Sequence, residues 1–126
     1  MSQYLPDTSE LLKTVQQYVS EIGAKLKGGD KYNALVAAYL LSICEREVRL
    51  GPFFDIKEKK DLIQFLKSGG SLEDLQRILC EGIREGKYDE NWNELLDLIL
   101  AQTVNSVAVV RPDHLDEDHG TVESRT

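Results

Sequence analysis

The sequence predicts an all-α protein, a compact bundle of about five helices followed by a disordered acidic tail. Three observations carry this. Apolar residues recur at three- and four-residue spacing along most of the chain before Pro112. Glycine, proline and capping residues punctuate that pattern at helix-length intervals. The one β-branched stretch, Val104 to Val110, has no second strand with which to form a ladder. The expected organisation is a single helical domain over residues 1–112 and a tail over residues 113–126.

The first helix is capped at Asp7 or Thr8, with Glu10 three residues after Asp7 in a capping-box arrangement. Leu11, Leu12, Val15, Tyr18, Val19, Ile22 and Leu26 then form one apolar stripe expected to be buried, and Lys13, Gln16, Gln17 and Glu21 fall on the wet side. Gly28-Gly29 is expected to end this helix and Asp30 to cap the next.

The second helix, Lys31 to about Leu50, is the central one. Its run Ala34-Leu35-Val36-Ala37-Ala38-Tyr39-Leu40-Leu41 is apolar around the whole circumference, so it must be enclosed, yet it is too short to span a bilayer. Leu35, Ala38, Leu41, Cys44 and Val48 are expected inside, and Leu41→Ala is expected to cost about 2–5 kcal/mol. Gly51-Pro52 is expected to stop the helix, with Phe53-Phe54 covering a core edge in a short connection.

A capping box, Asp55-Ile56-Lys57-Glu58, opens a shorter third helix with Leu62, Ile63, Phe65 and Leu66 inward, ended by Ser68-Gly69-Gly70. Ser71 opens a fourth, with Leu72, Leu75, Ile78, Leu79 and Ile83 on one face and Gly82 where another helix could approach. Gly86 closes it. The fifth starts near Glu90, places Trp92, Leu95, Leu96, Ile99 and Thr103 together, and continues toward Val110 until Pro112 halts it.

Charge narrows the function classes. The net charge is −7, and from Asp113 onward five acids face one base, so −4 of it sits in the tail and −3 in the body. A chain without a Lys/Arg stripe is poorly suited to nucleic acid or anionic membranes. Cys44 and Cys80 lie in apolar helical contexts and read as buried, reduced thiols. Met1 to Asp7 has neither a basic region nor an apolar core, so the expected setting is cytoplasmic.

The charged block Glu45-Arg46-Glu47, with Arg49, arrives where the apolar helix becomes polar. At 100° per residue, Tyr39, Ser42, Arg46 and Arg49 share a narrow sector, and Glu45 stands four residues before Arg49. One reading is a seam that binds an anionic ligand or a partner's carboxylate through the arginine fork. The other is a helix end whose charges are solvated or paired internally. Glu47 points elsewhere and needs a partner if it is half-buried. No catalytic residues, no metal and no cofactor are expected. The glycine pairs before helices lack the strand and frame of a phosphate loop. His114 and His119 flank Asp116-Glu117-Asp118 in a segment whose ordering entropy opposes metal binding.

Val36-Ala37-Ala38-Tyr39-Leu40-Leu41-Ser42-Ile43-Cys44-Glu45-Arg46-Glu47 resembles the signature helix of a small, uncharacterised bacterial all-helical family. Leu79-Cys80-Glu81, Ile83-Arg84, Gly86 and Tyr88-Asp89 resemble it too, as does Val107-Ala108-Val109 with Pro112. The family commonly has Asn where this chain has Tyr39 and Arg111. Its members are often encoded beside, or fused to, aminoglycoside-phosphotransferase-like kinases and acyl-CoA dehydrogenases. The resemblance thus implies an accessory protein for an enzyme of one of those kinds. A homodimer is compatible with this reading. The alternative is a small-molecule or acyl-group binder, catalytic or not, with a pocket beside the second helix. The absence of a recognisable catalytic set in the sequence favours the accessory protein.

Overall fold

The computed structural model describes residues 6–115. The described chain is helical throughout: α1 (Thr8–Lys25), α2 (Gly28–Leu66), α3 (Leu72–Arg84) and α4 (Trp92–Val110), with 3-10 turns at Asp89–Asn91 and Pro112–His114. The all-α expectation holds, with four helices in place of about five. The chain divides into two compact units at Gly51/Pro52.

The missing boundary is at Gly51-Pro52. The second and third expected helices are one 39-residue helix, α2, with Pro52 inside it. Proline withdraws one N–H, the donor for the Val48 carbonyl, but already has a helical φ. Strong helix on both sides carries the chain through, with i,i+4 ion pairs Glu45–Arg49 before the proline and Lys57–Asp61 after it. Asp55 to Glu58 is therefore interior helix and caps nothing, and Phe53 is 71% exposed where a core edge was expected. Gly28 and Asp30 likewise sit within the first turn of α2, so Asp30 is not its cap.

Other termini follow the sequence. Asp7 Oδ1 accepts from the Glu10 backbone N–H at 2.8 Å, and Ser71 Oγ accepts from that of Asp74 at 3.1 Å. The end of α3 is a Schellman motif: Gly86 at φ 75° lets its own N–H reach the Ile83 carbonyl and that of Lys87 reach the Gly82 carbonyl. The stretch Val104 to Val110 is helical and ends before Pro112. The following Pro112–His114 turn holds the first residues of the expected tail; Asp116 to Thr126 lie outside the described residues.

In the unit formed by residues 52–126, the core is Leu62 from α2, Leu75 and Leu79 from α3, and Leu95 and Leu98 from α4. Phe65 and Tyr88 pack against it with ring centroids 5.1 Å apart. Gly82 is what admits that tyrosine. A Cβ there would stand 2.5 Å from the Tyr88 ring, so the glycine accommodates an aromatic side chain where a second helix was expected. On α4 the buried side chains are Leu95, Leu98, Val104, Ala108 and Val109. Trp92, Leu96 and Ile99, expected on the inner face, are 57, 50 and 37% exposed, because α4 is apolar on more than one side and periodicity did not say which.

Gly82→Ala is expected to lower stability by about 1–3 kcal/mol, since Tyr88 must leave its place against Phe65. Gly69→Ala has open space and should change stability by less than about 0.5 kcal/mol. Urea midpoints of the two variants test this; equal effects would show that Tyr88 yields without cost. Leu62, fully buried, should lose about 2–5 kcal/mol on replacement by Ala. That role was expected of Leu41, which is only half-buried.

Candidate functional site

The first unit, residues 1–51, is an α1/α2 hairpin. At its closed end the helices meet through small residues: a Cβ on Gly23 would lie 2.9 Å from Ala34 Cβ. At its open end they meet through a carboxylate. Glu45 is 5% exposed, and its Oε1 accepts 2.7 Å hydrogen bonds from Ser9 Oγ on α1 and Arg49 Nε on α2. Arg49 Nη2 reaches Oε2 at 3.4 Å, and Lys13 Nζ lies 3.6 Å from Oε1. Desolvation alone would push the Glu45 pKa up; the hydrogen bonds from Arg49 and Ser9, with the charges of Arg49 and Lys13, outweigh it and hold the carboxyl below its ordinary range.

This network resolves part of the expected seam. Arg49 is directed at Glu45, and Ser42 Oγ donates to the Tyr39 carbonyl at 2.6 Å. Arg46 is half-buried, and Tyr39 is 41% exposed. Glu47 is exposed, its carboxylate lying alongside Gly51. The spacing of Glu45 and Arg49 was visible in the sequence. That Glu45 would be the buried hub was not, because Ser9 and Lys13 are more than thirty positions away.

The larger surprise is apolar. The α1 stripe is only partly covered: Leu12, Val19 and Leu26 are half-buried, but Leu11, Val15, Tyr18 and Ile22 are 54, 49, 64 and 37% exposed. The covered side of α1 runs through Ser9, Leu12, Gln16, Val19, Ser20, Gly23 and Leu26, and the exposed four lie roughly 110° round the helix from its middle. On α2, Ala38 is buried as expected, but Leu35 and Val48 are 52 and 41% exposed and Cys44 is exposed. Tyr32, Val36 and Leu40 are open as well. A helix apolar all round was expected to be enclosed; one neighbour covers one side of it. Cys80 is also exposed, and both thiols are free.

Two concavities occur on the second unit. One of about 690 Å³ is lined by Phe65, Tyr88 and Leu98 with Asp61, Lys67 and Glu94. The other, about 500 Å³, is an apolar groove of Leu100, Val104, Val107, Val110 and Leu115, with Arg111 and His114 also lining it. Arg111 Nη2 is 3.2 Å from Asp113 Oδ2, and this hydrogen bond holds the Asp113 carboxyl below its ordinary range. Neither of these two has a residue of the Lys31–Leu50 segment in its lining. Among the described residues no group of three His, Cys, Asp or Glu is placed to hold a metal ion, and no helix is long and apolar enough to cross a membrane. His119 and the acidic run 116–118 lie outside the described residues.

The described chain is thus an all-helical protein whose first unit is a hairpin joined through one buried carboxylate. The chain belongs to the family described as a domain of unknown function (DUF6285), whose sequence profile matches residues 24–114. No curated protein and no solved structure matches it. The matched span holds α2 to α4 and the final turn, and leaves nearly all of α1 outside.

Glu45→Gln keeps the shape and removes the charge, and is expected to cost about 1–3 kcal/mol at pH 7. The sign with pH follows from the lowered pKa. The unfolded carboxyl, near 4.3, takes up a proton more readily than the folded one, so the stabilisation is complete above that pH and is lost as pH falls through the folded value. The gap in urea midpoint between wild type and Glu45→Gln should therefore be constant near neutrality and close below about pH 4. A gap that persisted at pH 2.5 would show that the charge is not what Glu45 contributes.

Proposed function

We propose that this protein is a non-catalytic helical interaction protein that docks on an enzyme partner through the outer side of α2. The supporting observation is the row Tyr32, Leu35, Val36 and Tyr39, between 37 and 68% exposed. Side chains of this size, half open, uncover about 400 Å² of apolar surface, at the upper end of what a self-sufficient monomer shows. Arg46, one turn or two beyond Tyr39, is proposed to receive a carboxylate or phosphate of the partner. Ser42 and Arg49 complete that polar end, held by their bonds to the Tyr39 carbonyl and to Glu45. The partner class, an acyl-CoA dehydrogenase-like or kinase-like enzyme, comes from the family resemblance of the signature helix.

Affinity capture with the full chain from its native cell, read by mass spectrometry, is expected to recover an enzyme of one of those two kinds. Arg46→Ala should weaken capture by roughly 30-fold to a few thousandfold, the equivalent of about 2–5 kcal/mol for leaving an anion unpaired. Arg46→Lys should restore it only in part, because the planar fork is lost. Undiminished capture by a folded Arg46→Ala protein would remove the site.

A second reading, an acyl-group binder, draws on the groove lined by Leu100, Val104, Val107, Val110 and Leu115, which has the apolar lining and few polar groups of a ligand site. It expects a medium-chain acyl-CoA to raise the melting temperature by several degrees, and Val107→Glu to abolish the rise. No shift at millimolar ligand would exclude it.

A further inference from the structure

The hairpin has a second bare face, centred on α1, which adjoins the α2 row assigned above to an enzyme partner where Leu40 follows Val36 by one turn. On α1 it comprises Leu11, Val15, Tyr18 and Ile22, which recur at intervals of four, three and four and so lie within about 60° of one another. On the same side of the hairpin α2 contributes Leu40, Cys44 and Val48, again at intervals of four. All seven are exposed, Tyr18 by 64%. Leu12, Val19, Leu26 and Leu41, half-buried, lie in helical phase between each row and the seam.

We propose that this face is covered by a second copy of the chain, two hairpins pairing about a two-fold axis into a four-helix bundle. Three features select that occupant. The first is area. The seven side chains and the four half-buried ones beside them uncover on the order of 800 Å², which is the share one partner contributes to a stable interface of ordinary size. The second is charge. Neither row contains a Lys, Arg, Asp or Glu side chain, and Lys13, Gln17 and Glu21 stand off the stripe. A two-fold axis presents each residue of a face to the same face, so a self-pairing surface must hold no uncompensated charge of one sign. The charges nearest the two rows are one of each sign, Lys25 on α1 and Glu47 on α2, both exposed, so the face carries no excess of either sign. The third is architecture. Two helices have one shared seam, and here that seam is filled by Gly23, Ala34, Ala38 and Glu45, none of them a large apolar side chain. Leu50, near the end of this unit, is already buried, but the exposed large apolar residues lie beside the seam, where two more helices complete a bundle core.

This dimer goes beyond the enzyme-docking reading and does not depend on it, since its face is centred on α1 and it is tested with no partner present. The two cysteines supply the probe. Both are exposed in the single chain, but Cys44 belongs to the proposed face and Cys80 to α3 of the other unit. The experiment takes the purified full chain under reducing conditions, measures its mass by sedimentation equilibrium at tens of micromolar, and then follows alkylation of each thiol by iodoacetamide. The expected mass is twice the 14.2 kDa of one chain, with Cys44 alkylated at least roughly tenfold more slowly than Cys80. Val15→Glu enters the interface twice, once from each copy, and should weaken the dimer by roughly a hundredfold or more. Its helical circular dichroism should be unchanged, and its Cys44 should react like Cys80.

A monomer in which Cys44 reacts as fast as Cys80 overturns the proposal. A monomer with Cys44 protected overturns it too, and shows instead that the chain's own ends cover the face. A dimer in which Cys44 stays fully reactive places the interface elsewhere. If Val15→Glu does not fold, the wild-type mass and the wild-type ratio of thiol rates still decide.

Discussion

The Glu45 carboxylate is the interaction on which the N-terminal half depends. It is buried, ionised and shared between two helices, and a buried charge tolerates little displacement of its partners. Ser9 and Lys13 on α1 must therefore stand opposite it, and Arg49 one turn along α2. With the small-residue contact of Gly23 and Ala34 at the other end, this sets both the register and the rotation of α1 on α2. Rotation is what matters for function. Turned by a third of a revolution, α1 would bury its own apolar stripe against α2. Held where the carboxylate holds it, it keeps Leu11, Val15, Tyr18 and Ile22 outside.

The unit formed by residues 52–126 is organised on the opposite plan. Its centre is five leucines from three helices, closed on one side by the tilted pair Phe65 and Tyr88. The pair is possible because Gly82 yields the volume of a side chain, and because the Schellman turn at Gly86 reverses the chain in time to bring Tyr88 back over α3. Local turn chemistry and core packing thus agree, which is the consistency expected of a segment selected for folding. The hairpin lacks that consistency when read as a closed structure and gains it when read as a surface.

Membership of a family described only as a domain of unknown function brings no chemistry with it. The weight therefore falls on the surfaces. Large side chains left bare on two sides of one hairpin are a feature of proteins that work by contact, and α2, inside the matched span, carries part of both faces. The groove along α4 suits a small apolar ligand better than a partner.

Helices, caps and most boundaries were legible in the sequence because they depend on neighbours three or four positions apart. Asp7 with Glu10, Ser71 with Asp74, Gly86 and the stop before Pro112 all belong to this class. Gly51-Pro52 misled because a proline's effect depends on how strongly the flanking segments hold the helix, and local rules see only the break. Burial was legible only as a quantity. The sequence by itself determined that α1, α2 and α4 carry more apolar surface than one contact can cover. Which side of each is covered, that Cys44 and Val48 lie open while Leu62 is sealed, and that Glu45 is enclosed by Ser9 and Lys13, were decided by tertiary structure alone. The physical reason is that periodicity defines a face only when a helix has a single apolar side; where it has several, the choice among them is made by residues distant in the chain.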